Sequence, residues 1–188
     1  MDTNISKKQN IINTAADLFK EKGYAATSIR NLAAAVGLEP SSIYSHIRSK
    51  EDLLTEICTF CADRFSSGMN EIYFLDISEK KKLKHLIKLH LDIAYENPAS
   101  ITVFNDDWKF LPEQSMTSFI QERKEYEKKF KKILLDGKKH GKFEFDNIDI
   151  LFSIIIKMLN WSYTGIKSHP REALEIELTQ FILKSLNK

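Results

Sequence analysis

At 188 residues, with 28 Lys and Arg against 26 Asp and Glu for a formal net charge of +2, the chain is long enough for one good core or for a small domain joined to a larger one, and its bulk charge announces no polyanionic partner. Apolar residues make up 43% and charged residues 29%, with twelve Phe but only six Gly and four Pro, which argues against disorder and for a helix-rich globule. No stretch of eighteen uncharged apolar residues occurs and Met1-Asp2-Thr3-Asn4 opens no apolar leader, so neither a membrane span nor secretion is expected and the cytoplasm is the default location.

In chain order, Ser6 with Gln9 three residues on has the spacing of a capping box, and Ile11, Ala15, Leu18 and Phe19 then share one helical stripe that stops at Gly23. Thr27 is placed to cap a second helix carrying Ile29, Leu32 and Ala33, which stops near Val36-Gly37. Pro40 suits the first turn of a third helix over about residues 39–46, and Ser49 caps a fourth with Glu51 and Asp52 at its positive end. The fourth is predicted to run to about Gly68 through Leu53, Leu54, Ile57, Phe60, Cys61 and Phe65, too long to serve a three-helix head alone. Its two cysteines, Cys58 and Cys61, lie three apart in an apolar pattern: two small buried side chains, with a Cys-x-x-Cys redox pair as the alternative. Zinc would need a second pair of ligands, and there is no further cysteine.

Further helices are predicted near 79–96, 99–110, 113–139, 147–167 and 171–187, broken at Asn97-Pro98, Pro112, Gly141 and His169-Pro170, with "KFEFD" at 142–146 as a brief extended link. The class is all-α, with about nine helices. The lysine-rich stretches at 80–84 and 128–142 interleave with Leu83, Phe130, Ile133 and Leu134 as solvated helix faces do. His85 and His90 are five apart on one helix, a poor spacing for a metal, so no metal is expected.

Around Gly37, the residues Leu32, Ala33, Val36, Leu38 and Ile43 occupy the inward positions of a helix-turn-helix. Ala33 is small enough for two helices to cross closely and Gly37 supplies the turn between them. With that frame in place, residues 7–56 resemble the DNA-binding head of the TetR (tetracycline-repressor-like) family of bacterial transcription regulators; "AADLFKEKGYAATSIRNLAAAVGLEPSSIYSHIRSKEDLL", residues 15–54, follows its pattern almost without gaps. Ile47 stands where Phe or Tyr is usual, and Ser41 where Gly is common. The resemblance implies a helix-turn-helix domain at 1–49 and a ligand-binding and dimerisation domain at 50–188. It places the third helix in the major groove of an operator, with Pro40, Ser41, Ser42, Tyr44, Ser45 and His46 as its contact set. Thr27 and Ser28 would meet the backbone at a helix N-terminus, and Lys50 would take a further phosphate. Between 39 and 46 there is no Arg or Asn for a bidentate base contact, so hydroxyls, water and DNA shape would carry specificity; Arg30 and Arg48 flank the helix.

One such head reads few base pairs, so a dimer on a two-fold symmetric site is expected. "ILFSIIIKMLNWSYTGI" at 150–166 is apolar on more faces than packing in one subunit needs, and 173–186 carries a stripe of Leu174, Leu178, Phe181, Ile182 and Leu186. Paired with their symmetry mates they would form a four-helix bundle.

In the family the second domain takes a small molecule that releases DNA, and residues 123–167 resemble its acyl-CoA-responsive branch, the fatty-acid-degradation regulators, in which Arg123, Tyr126, Glu127, Gly137, Gly141, Phe143, Asn160 and Trp161 fit an Arg-x-x-Tyr-Glu helix, a glycine turn and an Asn-Trp helix. That likeness implies Phe104, Trp108, Phe119, Arg123, Tyr126, Asn160 and Trp161 as ligand contacts, aromatics lining an apolar tunnel with a cation at its mouth. The alternative is that the aromatics are core and that Arg123 and Asn160 make internal hydrogen bonds. No cofactor is indicated. No nucleophile elbow or nucleotide-cradling loop supports an enzyme, and Asp106-Asp107 diverge on a helix. The rival function is a ligand carrier or interaction module with a non-functional head, which would not need the Thr27, Tyr44 and Lys50 set.

Overall fold

The computed structural model describes residues 6–165 and 168–186. Among these the secondary structure is helical throughout and contains no strand: α1 (Lys7–Lys22), α2 (Ile29–Ala35), α3 (Pro40–Ile43), α4 (Lys50–Phe74), α5 (Glu79–Glu96), α6 (Pro98–Asp106), a 3-10 turn at Trp108–Phe110, α7 (Glu113–Lys139), α8 (Ile148–Gly165) and α9 (Arg171–Ser185). The breaks expected at Asn97-Pro98, Pro112, Gly141 and His169-Pro170 all fall between helices. The expected ends of the last two helices at Ile166, Lys167 and Asn187 lie outside the described residues. No helix among the described residues is long and apolar enough to cross a membrane.

By packing, the chain divides into two units, residues 1–61 with 99–119 and residues 62–98 with 120–188. In the first, α1 starts at Ser6, whose hydroxyl accepts the Gln9 backbone N–H at 3.1 Å. The Gln9 side chain turns to Asn13 Oδ1 at 2.9 Å, so a simple cap stands where the sequence spacing suggested a reciprocal box. Ile11, Ala15, Ala16 and Phe19 of α1, Leu32 and Ala33 of α2, Ile43, Ile47, Leu53, Leu54 and Ile57 are all buried. The α2–α3 turn passes through Gly37 at φ +68°, a left-handed value that a side chain would strain. Cys58 and Cys61 are buried thiols; burial, with Cys61 and Asp107 nearby, pushes the Cys58 thiol up to about 12 and keeps it in its unreactive form.

In the second unit, α5 packs against α8 and α9. Its buried Leu83, Leu86, Ile87 and Leu91 join Phe130, Ile133 and Leu134 of α7, Ile155 and Leu159 of α8, and Leu174, Leu178 and Ile182 of α9 in one core. An Asp92–Arg171 ion pair, with Arg171 Nε donating at 2.9 Å, ties α5 to the start of α9. α4 does not end near Gly68, as its sequence suggested, but runs six residues further to Phe74. Gly68 is a point of close approach: a Cβ there would lie 2.5 Å from Leu89 Cδ1. The 142–146 link is irregular: the Lys142 and Phe143 N–H groups turn back to the Gly137 carbonyl, and the Glu144 N–H donates to the Leu186 carbonyl at 2.9 Å.

Gly137, inside α7, meets the buried Phe143 in the same way, since a Cβ there would overlap the ring. Helix propensity favours alanine over glycine by about 1 kcal/mol, whereas overpacking a core costs about 1–3 kcal/mol. Gly137→Ala is therefore expected to lower the urea unfolding midpoint; a raised midpoint would show that the Phe143 ring has room to withdraw.

Candidate nucleic-acid interface and helical interior

The outward face of α3 carries little but small polar groups. Pro40, Ser41, Ser42 and Ser45 are exposed and Tyr44 is 57% exposed, while Ile43 beneath them is fully buried and Ile47 nearly so. His46 is half-buried. The regular helix is shorter than the 39–46 span read from sequence. Beyond Ile43 the bonds tighten to three-residue spacing, Ser45 N to Ser42 O at 3.3 Å and His46 N to Ile43 O at 2.8 Å. The Ser45 hydroxyl also donates to the Ser42 carbonyl at 2.7 Å, the local competition by which serine ends helices. Arg30 and Arg48 are exposed on either side.

Ser28, not Thr27, caps α2. Its hydroxyl accepts the Asn31 backbone N–H at 3.1 Å, and Asn31 Oδ1 accepts the Ser28 backbone N–H at 3.0 Å, a complete capping box. The Ser-x-x-Asn spacing was the sequence signal for it. Thr27 is 2% exposed, and its hydroxyl faces the carbonyls of Gly23 at 3.0 Å and Leu18 at 3.3 Å. It thus ties the end of α1 to the start of α2 from inside. Lys50 also points inward: its Nζ donates to the carbonyls of Tyr24 and Thr27, both at 2.9 Å, and sits 4.2 Å from the Tyr24 ring centre. Two of its three N–H donors are thereby used.

Tyr24 is the hub of this corner. Its ring meets Phe19 edge-on at 5.1 Å and stacks on Phe110 at 5.3 Å and 25°. Burial, with Glu51 beside the hydroxyl, pushes the phenol up to about 12. The 3-10 turn after α6 is thus joined to the turn between α1 and α2, and Asp107 at its start, raised by burial, is drawn back by the Tyr24 backbone N–H. No local pattern in the sequence marks this junction, because its partners are some eighty residues apart.

The residues expected to hold a ligand fall into separate groups. In the first unit Phe104, Trp108 and Phe119 pack on one another, Trp108 stacked on Phe119 at 5.6 Å and 16° and Phe104 meeting Phe119 at 5.2 Å. In the second unit the Tyr126 hydroxyl pairs with His90 Nε2 at 2.8 Å, against the Phe65 ring at 4.7 Å from His90. Arg123 is exposed and Asn160 half-buried. Burial pushes the Tyr126 phenol up and His90 down to about 3, so His90 is neutral. In sequence His90 stands out only as half of a poorly spaced histidine pair; its significance comes from enclosure.

Trp161 is placed differently. At 51% exposed it lies with Ile150 (60%), Ile154 (52%) and Phe181 (62%) along an open trough of about 1100 Å³ on α8 and α9. Large apolar side chains clustered at such exposures on a helix pair mark an interaction surface.

The family of bacterial regulatory proteins called tetR matches residues 11–57, and the tetracyclin repressor-like C-terminal domain matches residues 76–165. The chain belongs to the tetR family. Among relatives, the HTH-type transcriptional repressor KstR2 of Mycolicibacterium smegmatis is 26% identical over 152 residues, 80% of this chain and 74% of its own. The structure of the TetR-family regulator PfmR from Thermus thermophilus superposes with a TM-score of 0.81 at 27% identity, over 95% of this chain and 99% of that one. That of AibR, in complex with isovaleryl coenzyme A and operator DNA, also has a TM-score of 0.81, at 17% identity over 94% and 97%. These families and relatives are transcription regulators, not enzymes. In the tetR frame, α1 to α3 are the DNA-binding head.

Two outcomes follow from the geometry of this tetR-family chain. Lys50→Ala removes two charge-assisted hydrogen bonds and leaves the Thr27 carbonyl without that donor, while the Tyr24 carbonyl keeps the Thr27 N–H, so it should cost about 2 kcal/mol in urea unfolding; an unchanged midpoint would mean that the ammonium serves only solvent. His90 titrates at about 3 when folded against about 6.5 when unfolded. The unfolded state therefore binds the extra proton between these values, and stability should fall as pH drops below 6.5. His90→Gln should flatten the fall between pH 6.5 and 5, where carboxylates contribute little, and an equal slope in both proteins would contradict the assignment.

Proposed function

We propose that the protein is a repressor that binds a two-fold symmetric operator as a homodimer and is released by a small hydrophobic effector, an acyl-CoA. The observation that carries the DNA-binding part is the hydroxyl-bearing face of α3, held outward over the buried Ile43 and Ile47. Ser41, Ser42 and Ser45 reach base edges or phosphates, and the Tyr44 hydroxyl takes a phosphate. Ser28 meets the backbone at the start of α2. Thr27 supports that contact from beneath, and Lys50 has one N–H left for a phosphate. With no Arg or Asn on this helix, DNA shape and bridging water contribute much of the selectivity.

The apolar trough on α8 and α9 supports the dimer, and a second copy laid along it would make a four-helix bundle. Trp161 then faces the partner. The effector class rests on the branch resemblance of residues 123–167 and on the shared fold of AibR, whose structure holds isovaleryl coenzyme A with operator DNA. Release requires that the effector bind the DNA-incompetent arrangement more tightly than the competent one.

The test is fluorescence anisotropy on labelled DNA from upstream of the protein's own gene, in defined salt, with acyl-CoAs of short to long chain. Expected are tight binding that weakens linearly in log salt and release by one range of chain lengths, with free CoA and a detergent of matching chain leaving the complex intact. Binding that every acyl-CoA leaves untouched would remove this effector class and keep the regulator. Failure to bind this and other promoters would leave the head without its function.

A further inference from the structure

The trough on α8 and α9 carries two charges that its apolar lining does not account for. Lys157 and Glu177 both line it and both are exposed. Neither forms a hydrogen bond or ion pair among the described residues. The third charged residue of the lining, Asp149, is already held by Lys131 at 2.6 Å. On α8 the lining residues Ile150, Ile154, Lys157 and Trp161 recur at helical spacing, and on α9 Ala173, Glu177 and Phe181 do the same. Each charge thus sits in the middle of its helix's exposed seam, with apolar neighbours one turn away on both sides.

Covering that seam with a purely apolar partner would strip water from an ammonium and a carboxylate and leave both unpaired, a severe cost. A partner that presents the opposite charge at each point avoids it. A second copy of this chain does so automatically, because in a two-fold interface every contact occurs twice with the roles exchanged. We infer that the trough is filled by α8 and α9 of a second copy in the register that sets Lys157 against Glu177 of the partner subunit, at two symmetric places. This rests on the homodimer proposed above and adds its register and its choice of partner. Ile150, Ile154, Trp161 and Phe181 supply the buried area, and the two charge pairs reject shifted registers and chains of related fold with other charges there.

Charge exchange tests the pairing on the full-length chain, both sites being exposed and tolerant of substitution. Lys157→Glu alone sets carboxylates against each other at both places, and Glu177→Lys alone sets ammoniums against each other. Each is expected to weaken dimerisation by roughly tenfold or more in sedimentation experiments, with helical content unchanged by circular dichroism. Mixing the two variants restores both attractions in a heterodimer, so native mass spectrometry with one variant tagged should show heterodimer well above the half that random pairing gives. The double variant Lys157→Glu with Glu177→Lys should dimerise like the wild type. A dimeric wild type whose single variants dimerise equally well, or mix at random, overturns the register and leaves the dimer standing. A wild type that is monomeric at micromolar concentration overturns both.

Discussion

The reading head is built around one ammonium group. Lys50 opens α4, yet its Nζ lies between the carbonyls of Tyr24 and Thr27, the two ends of the turn that leads into α2, and against the ring of Tyr24. Both carbonyls lie in the turn between α1 and α2, where the only backbone donor to either among the described residues is the Thr27 N–H, on the Tyr24 carbonyl at 3.2 Å. A cation satisfies both at once, so α4 and the α1–α2 turn take a single relative position. Thr27, buried beside it, returns its hydroxyl to the end of α1. The exposed serines of α3 have a defined direction because α2, against which α3 packs, is anchored at this corner and turned at Gly37.

Polar groups are few inside the second unit, and each is used. His90 is buried and neutral and shares one hydrogen bond with Tyr126, an arrangement that satisfies two polar side chains without bringing a charge out of water. The Asp92–Arg171 pair lies at the partly exposed edge where α5 meets α9, where an ion pair keeps some hydration. The same economy makes Lys157 and Glu177 conspicuous. Some lysines of this unit find carboxylates one turn away, as Lys132 does with Asp136 and Lys88 with Asp92; Lys157 and Glu177 do not, and because both face one apolar trough they direct attention outside the subunit.

Much of the architecture was legible because it is set by local rules. Ser6, Ser49, Pro98, Pro112 and Pro170 mark helix boundaries through capping and through the missing proline N–H, which act over three or four residues. Where local rules misled, a distant partner had intervened. Gly68 reads as a stop signal, but in α4 it makes room for Leu89. Thr27 reads as a cap, but the carbonyls of Leu18 in α1 and of Gly23 just after it claim its hydroxyl and leave the cap to Ser28.

The site divides along the same line. Periodicity, capping and turn chemistry belong to neighbouring residues, so the sequence alone determined an all-helical chain, a helix-turn-helix with hydroxyls on its second helix, and two closing helices with apolar seams. Contacts between residues far apart in the chain have no local signature, and only the tertiary structure decided them. It turned Lys50 inward, joined Tyr24 to Phe110 and enclosed His90 with Tyr126. It also set Trp161 on an outer face beside Phe181, because the fate of an aromatic or a charge depends on which surfaces converge around it.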